Sequence, residues 1–297
     1  MGIQTRVTEG SITTRVLANL QRNMARGGAL QEQLSTGKQI SRPSDSPTGT
    51  ITSLALRGEM RSFEQYSRNA DDGLGWLGAA DNALTQSSGL VNKVRDLALQ
   101  GLNSGIASPG SREALAAEVD NIYNAMIGLA NTTYLDRPIF GGTTTGRSAY
   151  DETGAYQGDT GEVMRSVGNS SKVQVQTNGP EAFGDGDTQI FAVLRDISRS
   201  LRDNDISTLG GSLNSLDAAG NLLKGKLSDV GARYNHMSRM RESAQDRLVA
   251  LSSRLSDVED IDLPKVIMEM QMQKTSYEAA LAATAKVIQP SLIDYLR

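Results

Sequence analysis

Gly220-Asn221-Leu222-Leu223-Lys224-Gly225-Lys226 comes close to a phosphate-binding loop. In such a loop backbone amides cradle the phosphates, a lysine reaches the outer oxygens, and a Ser or Thr holds Mg²⁺. Here the next residue is Leu227, no apolar strand precedes the stretch, and its composition is helical. Ser35-Thr36-Gly37-Lys38 has the Ser-x-x-Lys spacing of some acyl-transfer nucleophiles. It lacks a companion motif, and a helix ending at Gly37 accounts for it. His236 is the single histidine and cysteine is absent, so a histidine cluster, a thiolate metal site, a thiol nucleophile and a disulfide are all excluded. Asp185 and Asp187 sit in a Gly-rich turn that could touch Ca²⁺, but the loop lacks the EF-hand pattern and its closing Glu. A solvated turn explains them. No nucleophile, base and orienter can be assembled from these residues. The sequence therefore predicts no catalytic, cofactor-binding or metal-binding residue and a protein that is not an enzyme.

The other conspicuous side chains have structural readings. Trp76, among Leu74, Leu77 and Ala79, reads as helix-packing core. Met268, Met270 and Met272 alternate, so Met270 faces an apolar stripe and the others flank it; methionine adapts to non-identical neighbours. Arg239, Arg241, Arg247 and Arg254 are offset by Glu242, Asp246, Asp257 and Glu259, which predicts a solvated face. The net charge is −4 over 297 residues and gives no reason to expect nucleic acid. That charge is uneven: residues 1–40 carry +3 and residues 265–297 carry +1, leaving −8 in the middle. The first twenty residues have Val16-Leu17-Ala18 as their longest apolar run, neither a cleavable signal nor a membrane span. Export would need another route.

Long helices must position what remains. Ile12, Val16, Leu20 and Met24 recur every four residues, and Leu30 and Leu34 continue the stripe past Gly27-Gly28. At the other end Leu263, Val266 and Met270 precede Tyr277, Leu281, Ala285, Ile288, Leu292 and Tyr295, spaced by three or four. Such spacing draws one apolar stripe along a helix, close to the period of helices that wrap each other; Gln273 and Lys274 interrupt it. Further helices are expected over 48–103, 111–131, 188–203 and 206–258, with breaks at Pro43, Pro47, Pro109-Gly110 and Pro264. Residues 138–187 differ. They hold 10 of the 30 glycines and no leucine, and Lys172–Thr177 alternates polar and apolar, so that Val163–Val167 could pair with it.

The fold class expected is mainly α: a long antiparallel helical rod from both chain ends with a small β-rich insertion at its distal end. The division expected is 1–40 plus 265–297 as a terminal helical domain, 41–137 plus 188–264 as a helical core domain, and 138–187 as the outer insertion. A lone pair of terminal helices is marginal in water. Order in the terminal domain is therefore expected to depend on neighbouring subunits.

Three segments carry a family resemblance. Leu34-Ser35-Thr36-Gly37-Lys38-Gln39-Ile40-Ser41-Arg42-Pro43-Ser44-Asp45-Ser46-Pro47 resembles the N-terminal signature of flagellar axial proteins, in the form found in the hook-associated protein 3 (FlgL) family of the flagellin superfamily. Tyr134 through Pro138-Ile139-Phe140-Gly141-Gly142 is similar to the segment by which that family enters its outer domain. Tyr277-Glu278-Ala279-Ala280-Leu281 through Ser291-Leu292-Ile293-Asp294-Tyr295-Leu296 resembles its C-terminal helix. Ile139 and Ser46 depart from the usual Leu and Asp.

The resemblance implies a structural adaptor at the junction between flagellar hook and filament, outside the cell, exported by the flagellar type III apparatus without a cleaved signal. It implies as partners other copies of the chain, the second junction protein (FlgK), flagellin, and an export chaperone (FlgN) on the C-terminal helix; neither nucleic acid nor membrane is implied. The assembly interface is expected at Ile12, Val16, Leu20, Met24 and Leu34, at the turn Arg42, Pro43, Ser44, Asp45 and Pro47, and at Met270, Tyr277, Leu281, Ile288, Leu292, Tyr295 and Leu296. The alternatives are a short flagellin that polymerises by itself and a cytoplasmic coiled-coil interaction protein.

Overall fold

The computed structural model describes residues 9–103, 108–146 and 148–294, with side chains described outside 9–13, 187 and 286–294. The chain is mainly helical: α1 Glu9–Thr36, α2 Pro47–Leu102, α3 Pro109–Ala130, α4 Gly179–Phe183, α5 Ile190–Asp203, α6 Ile206–Glu259 and α7 Leu263–Asp294. Two antiparallel strand pairs lie between α3 and α4: β1 Thr133–Tyr134 with β2 Arg137–Pro138, and β3 Met164–Ser166 with β4 Lys172–Gln174. The second pair is the one that the alternation of 172–177 predicts, shorter than drawn, with Arg165 opposite Val173.

Two compact units divide the chain, one running up to Arg61 and again from Val249, the other Ser62–Leu248. The core lies in the second unit. There α3 and α5 pack face to face, and α5 shows why: Ile190, Val193, Leu194, Ile197 and Leu201 recur at helical spacing and are all buried. Residues of 138–187 belong to this same core rather than to one of their own. Ile139, Phe140, Tyr150, Val175 and Phe183 are fully buried with Leu77, Leu84, Met126 and Leu194. Rings make that continuity: Phe140, Tyr150, Phe183 and Phe191 pack edge-on, tilted or stacked with centroids 4.9–5.8 Å apart. The compact units thus part at 61/62 and 248/249, and the segment without leucine is sealed onto the helices by aromatics instead.

Helix ends follow local chemistry. Gly37 ends α1 with φ +69, where its lack of a Cβ removes the strain. Ser108, immediately before Pro109, caps α3 by accepting from the Ser111 amide. Pro109 then occupies the first helical position, where its missing N–H costs nothing. Gly220–Lys226 lies in mid-α6, where amides are spent on helical bonds and cannot cradle phosphate. Trp76 is core, edge-on to Tyr134 at 5.8 Å.

Candidate assembly interface

The unit formed by both chain ends is built on α1 packed against α7. Gln273, expected only to interrupt the stripe, links them: its side-chain amide donates to the Asn23 carbonyl at 2.8 Å. Leu30 and Val266 are buried, while Val16, Leu20, Leu34, Met270 and Tyr277 are half-buried. The expected interface residues Met24 and Leu281 stand exposed, at 62% and 43%, as do the flanking Met268 and Met272. Ile12, Ile288 and Leu292 lie in helices whose side chains at those positions are outside the described residues, and Tyr295 and Leu296 lie outside them altogether.

The turn between α1 and α2 is closed by its own side chains. Asp45 accepts from the backbone amides of Ser41 and Arg42 at 3.1 and 2.8 Å, and donates its own amide to the Arg42 carbonyl at 3.0 Å. Pro43 presets the second position of that turn. Arg42 reaches back to Glu32 at 3.2 Å. Ser46 then caps α2, accepting from the Gly49 amide at 3.1 Å, with Pro47 at the first helical position. A Cβ on Gly49 would strike Ile40 and Ser46, so glycine there lets the turn fold onto the helix. Arg42, Pro43, Ser44, Asp45 and Pro47 themselves are exposed. Beside them lies a groove of about 670 Å³ lined by Glu32, Gln33, Ile40, Asp45, Thr52 and Val258, among others.

A clasp brings two distant connections together. The backbone after Gly37 pairs antiparallel with the link between α6 and α7: the Gln39 amide donates to the Glu259 carbonyl at 2.6 Å, and Ile261 donates to Gly37 at 3.1 Å. Side chains reinforce it. Arg57 grips Glu259 with two bonds of 3.0 and 2.7 Å, and Lys38 sits 2.5 Å from Asp260 and 3.5 Å from Glu259. Asp260 also accepts from Ser256. Hydrogen bonds from Arg57 hold the Glu259 carboxyl below its usual range despite burial, and those from Lys38 do the same for Asp260. Asp260 raises the Lys38 ammonium in turn. Glu259 therefore corrects the expectation of a solvated face: its side chain is 5% exposed, because an arginine from α2 neutralises it there. No local spacing could reveal this pair, whose members are 202 residues apart. The same clasp uses Lys38 of the Ser-x-x-Lys motif as an ion-pair partner.

Ten of the fourteen large apolar side chains left exposed among the described residues belong to this unit: Leu17, Met24, Ile51, Leu54 and Val249 besides five on α7. Of the forty buried hydrophobic residues, alanines included, it contributes Leu30, Leu251 and Val266. Ile51, Leu54 and Val249 fall outside the apolar stripes of the chain ends; Ile51 and Leu54 pair at a spacing of three, and Val249 stands alone among Gln245, Asp246, Ser252 and Ser253. Among the described residues no helix is long and apolar enough to cross a membrane.

Long helices from both chain ends, joined by the clasp and with few buried apolar residues, are the architecture of a helical structural protein. The comparisons give that class its family. The bacterial flagellin N-terminal helical region matches residues 9–145 and the flagellin C-terminal helical region matches 213–296. The chain belongs to the flagellin superfamily. It is 24% identical over 307 residues to flagellin of Bacillus subtilis, covering 96% of each chain. It is also 24% identical over 280 residues to flagellar hook-associated protein 3 of Escherichia coli, covering 85% of this chain and 87% of that one. The crystal structure of Bacillus cereus FlgL shares its fold, with TM-score 0.61 and 22% identity over 68% of this chain and 99% of that one.

Proposed function

We propose that this chain is a structural adaptor of the external flagellum, seated at the junction between hook and filament. The observation that carries it is the concentration of exposed apolar side chains on the unit built from both ends. Covering such a surface with neighbours removes apolar area from water and is favourable, which is what a tubular assembly supplies. The likeness to hook-associated protein 3 supports the junction over other places in the flagellum. The terminal segments, 1–40 and 265–297, are its assembly domain; copies of the chain, the second junction protein (FlgK) and flagellin are its neighbours there. An export chaperone (FlgN) holds the C-terminal helix before secretion through the flagellar type III apparatus, without a cleaved signal. A structural role of this kind requires no catalysis.

The test replaces exposed residues, so that the isolated fold survives. Ile267→Asp with Leu281→Asp should leave helical content unchanged but abolish incorporation and motility. Normal motility in that variant refutes the reading. The alignment with Bacillus subtilis flagellin over nearly the whole chain supports a second reading, a filament subunit. Long filaments from the purified chain alone would favour it; labelling at hook tips in a strain making no filament would favour the adaptor.

A further inference from the structure

The turn joining β1 to β2 places Leu135 and Asp136 both in the left-handed region, at φ 48 and φ 60. That geometry suits Asn-Gly, and a leucine there is strained. This leucine is nevertheless 72% exposed, so no burial within the chain offsets the strain. The hairpin that bears it is rigidly seated: Tyr134 packs edge-on to Trp76 and fills the place that a Cβ on Gly75 would take. Also in the 62–248 unit is a groove of about 300 Å³ between α2 and α6, lined by Gly78, Asp81, Asn82, Gly231, Tyr234 and Asn235. A Cβ on Gly231 would meet nothing, so the glycine leaves room rather than relieving a clash. Charge matches across the two features. The Arg137 side chain beside the knob and the Asp81 carboxylate beside the groove each lack an ion pair among the described residues.

We infer that Leu135 of one copy docks into the Gly78–Gly231 groove of a second copy, with Arg137 meeting Asp81. The local strain is kept because it aims an apolar knob at a partner. A knob and a groove at different places on one surface make a contact that propagates or closes by symmetry. This rests on the assembly reading above only in supposing that copies meet; it uses none of the terminal helices.

The absence of cysteine gives a clean test. A chain carrying Leu135→Cys is mixed with a chain carrying Asn235→Cys and mildly oxidised. Disulfide-linked heterodimer should form about ten-fold faster than in a control mixture of Ser170→Cys with Asn235→Cys, reflecting local concentration. The excess should persist when both chains also carry Leu281→Asp. Adding Asp81→Arg to the groove chain should slow the reaction several-fold, and Arg137→Asp on the knob chain should restore it. A rate equal to the control, its loss with Leu281→Asp, or failure of the charge swap to restore it overturns the inference.

Discussion

The clasp makes a sharp prediction, because Glu259 is buried and its principal partner is not. Arg57 donates two hydrogen bonds to the carboxylate, and charge-assisted bonds contribute about 1.5–3 kcal/mol each where water is excluded. The Arg57 side chain is 51% exposed, so solvent screens much of that. Arg57→Ala should therefore destabilise the chain by about 2 kcal/mol, below the 3–5 expected when a wholly buried pair is broken. A double-mutant cycle with Glu259→Gln should return a coupling of about 1–2 kcal/mol. Acid supplies an independent check. The folded Glu259 carboxyl titrates below its unfolded value of about 4.3, so its stabilisation is full above that value and is lost as pH falls through the folded one. Lys38 is raised, so its contribution is full below about 10.4 and fades as pH climbs through the folded value. The stability difference between the parent chain and Glu259→Gln should thus be flat near neutrality and shrink in acid. Urea unfolding followed by circular dichroism measures it, and exchange of the Gln39 and Ile261 amides, which bond across the clasp, reports local opening. A coupling under about 0.3 kcal/mol with unchanged exchange at both amides would refute the clasp.

Other substitutions test single packing statements. Gly28→Ala should stabilise α1 by about 1 kcal/mol in urea unfolding, since its methyl meets nothing within the chain. Gly75→Ala should instead cost about 1–3 kcal/mol and alter emission from Trp76, because the methyl collides with Tyr134. Ser46→Ala should cost about 1 kcal/mol through loss of the α2 cap, while Ser46→Asp, which caps equally well, should unfold like the parent chain. Leu135→Asn should raise the unfolding midpoint slightly, as asparagine tolerates the left-handed turn.

Much of the architecture was legible in the residues themselves. Helical spacing with proline and glycine punctuation located the helices, because amphipathic periodicity and capping act over a few residues. Gly37, Pro47 and Pro109 bound them as local chemistry requires, and the alternation at 172–174 found its strand. The α3 helix starts at Pro109, two residues before the expected 111, because Ser108 caps it and proline fits its first position. Tertiary structure alone decided the rest. Glu259 shared a solvated pattern with its arginine neighbours until folding set Arg57 against it across 202 residues. Ile51, Leu54 and Val249 looked like scattered apolar residues until folding left them uncovered on one unit. Phe140, Tyr150 and Phe183, in a stretch without leucine, proved to be core through rings from four separate segments. The division has one physical cause. Caps, turns and periodic faces are properties of neighbours along the chain, whereas burial and charge pairing depend on which distant segments arrive at the same place, and that is decided only when the whole chain packs.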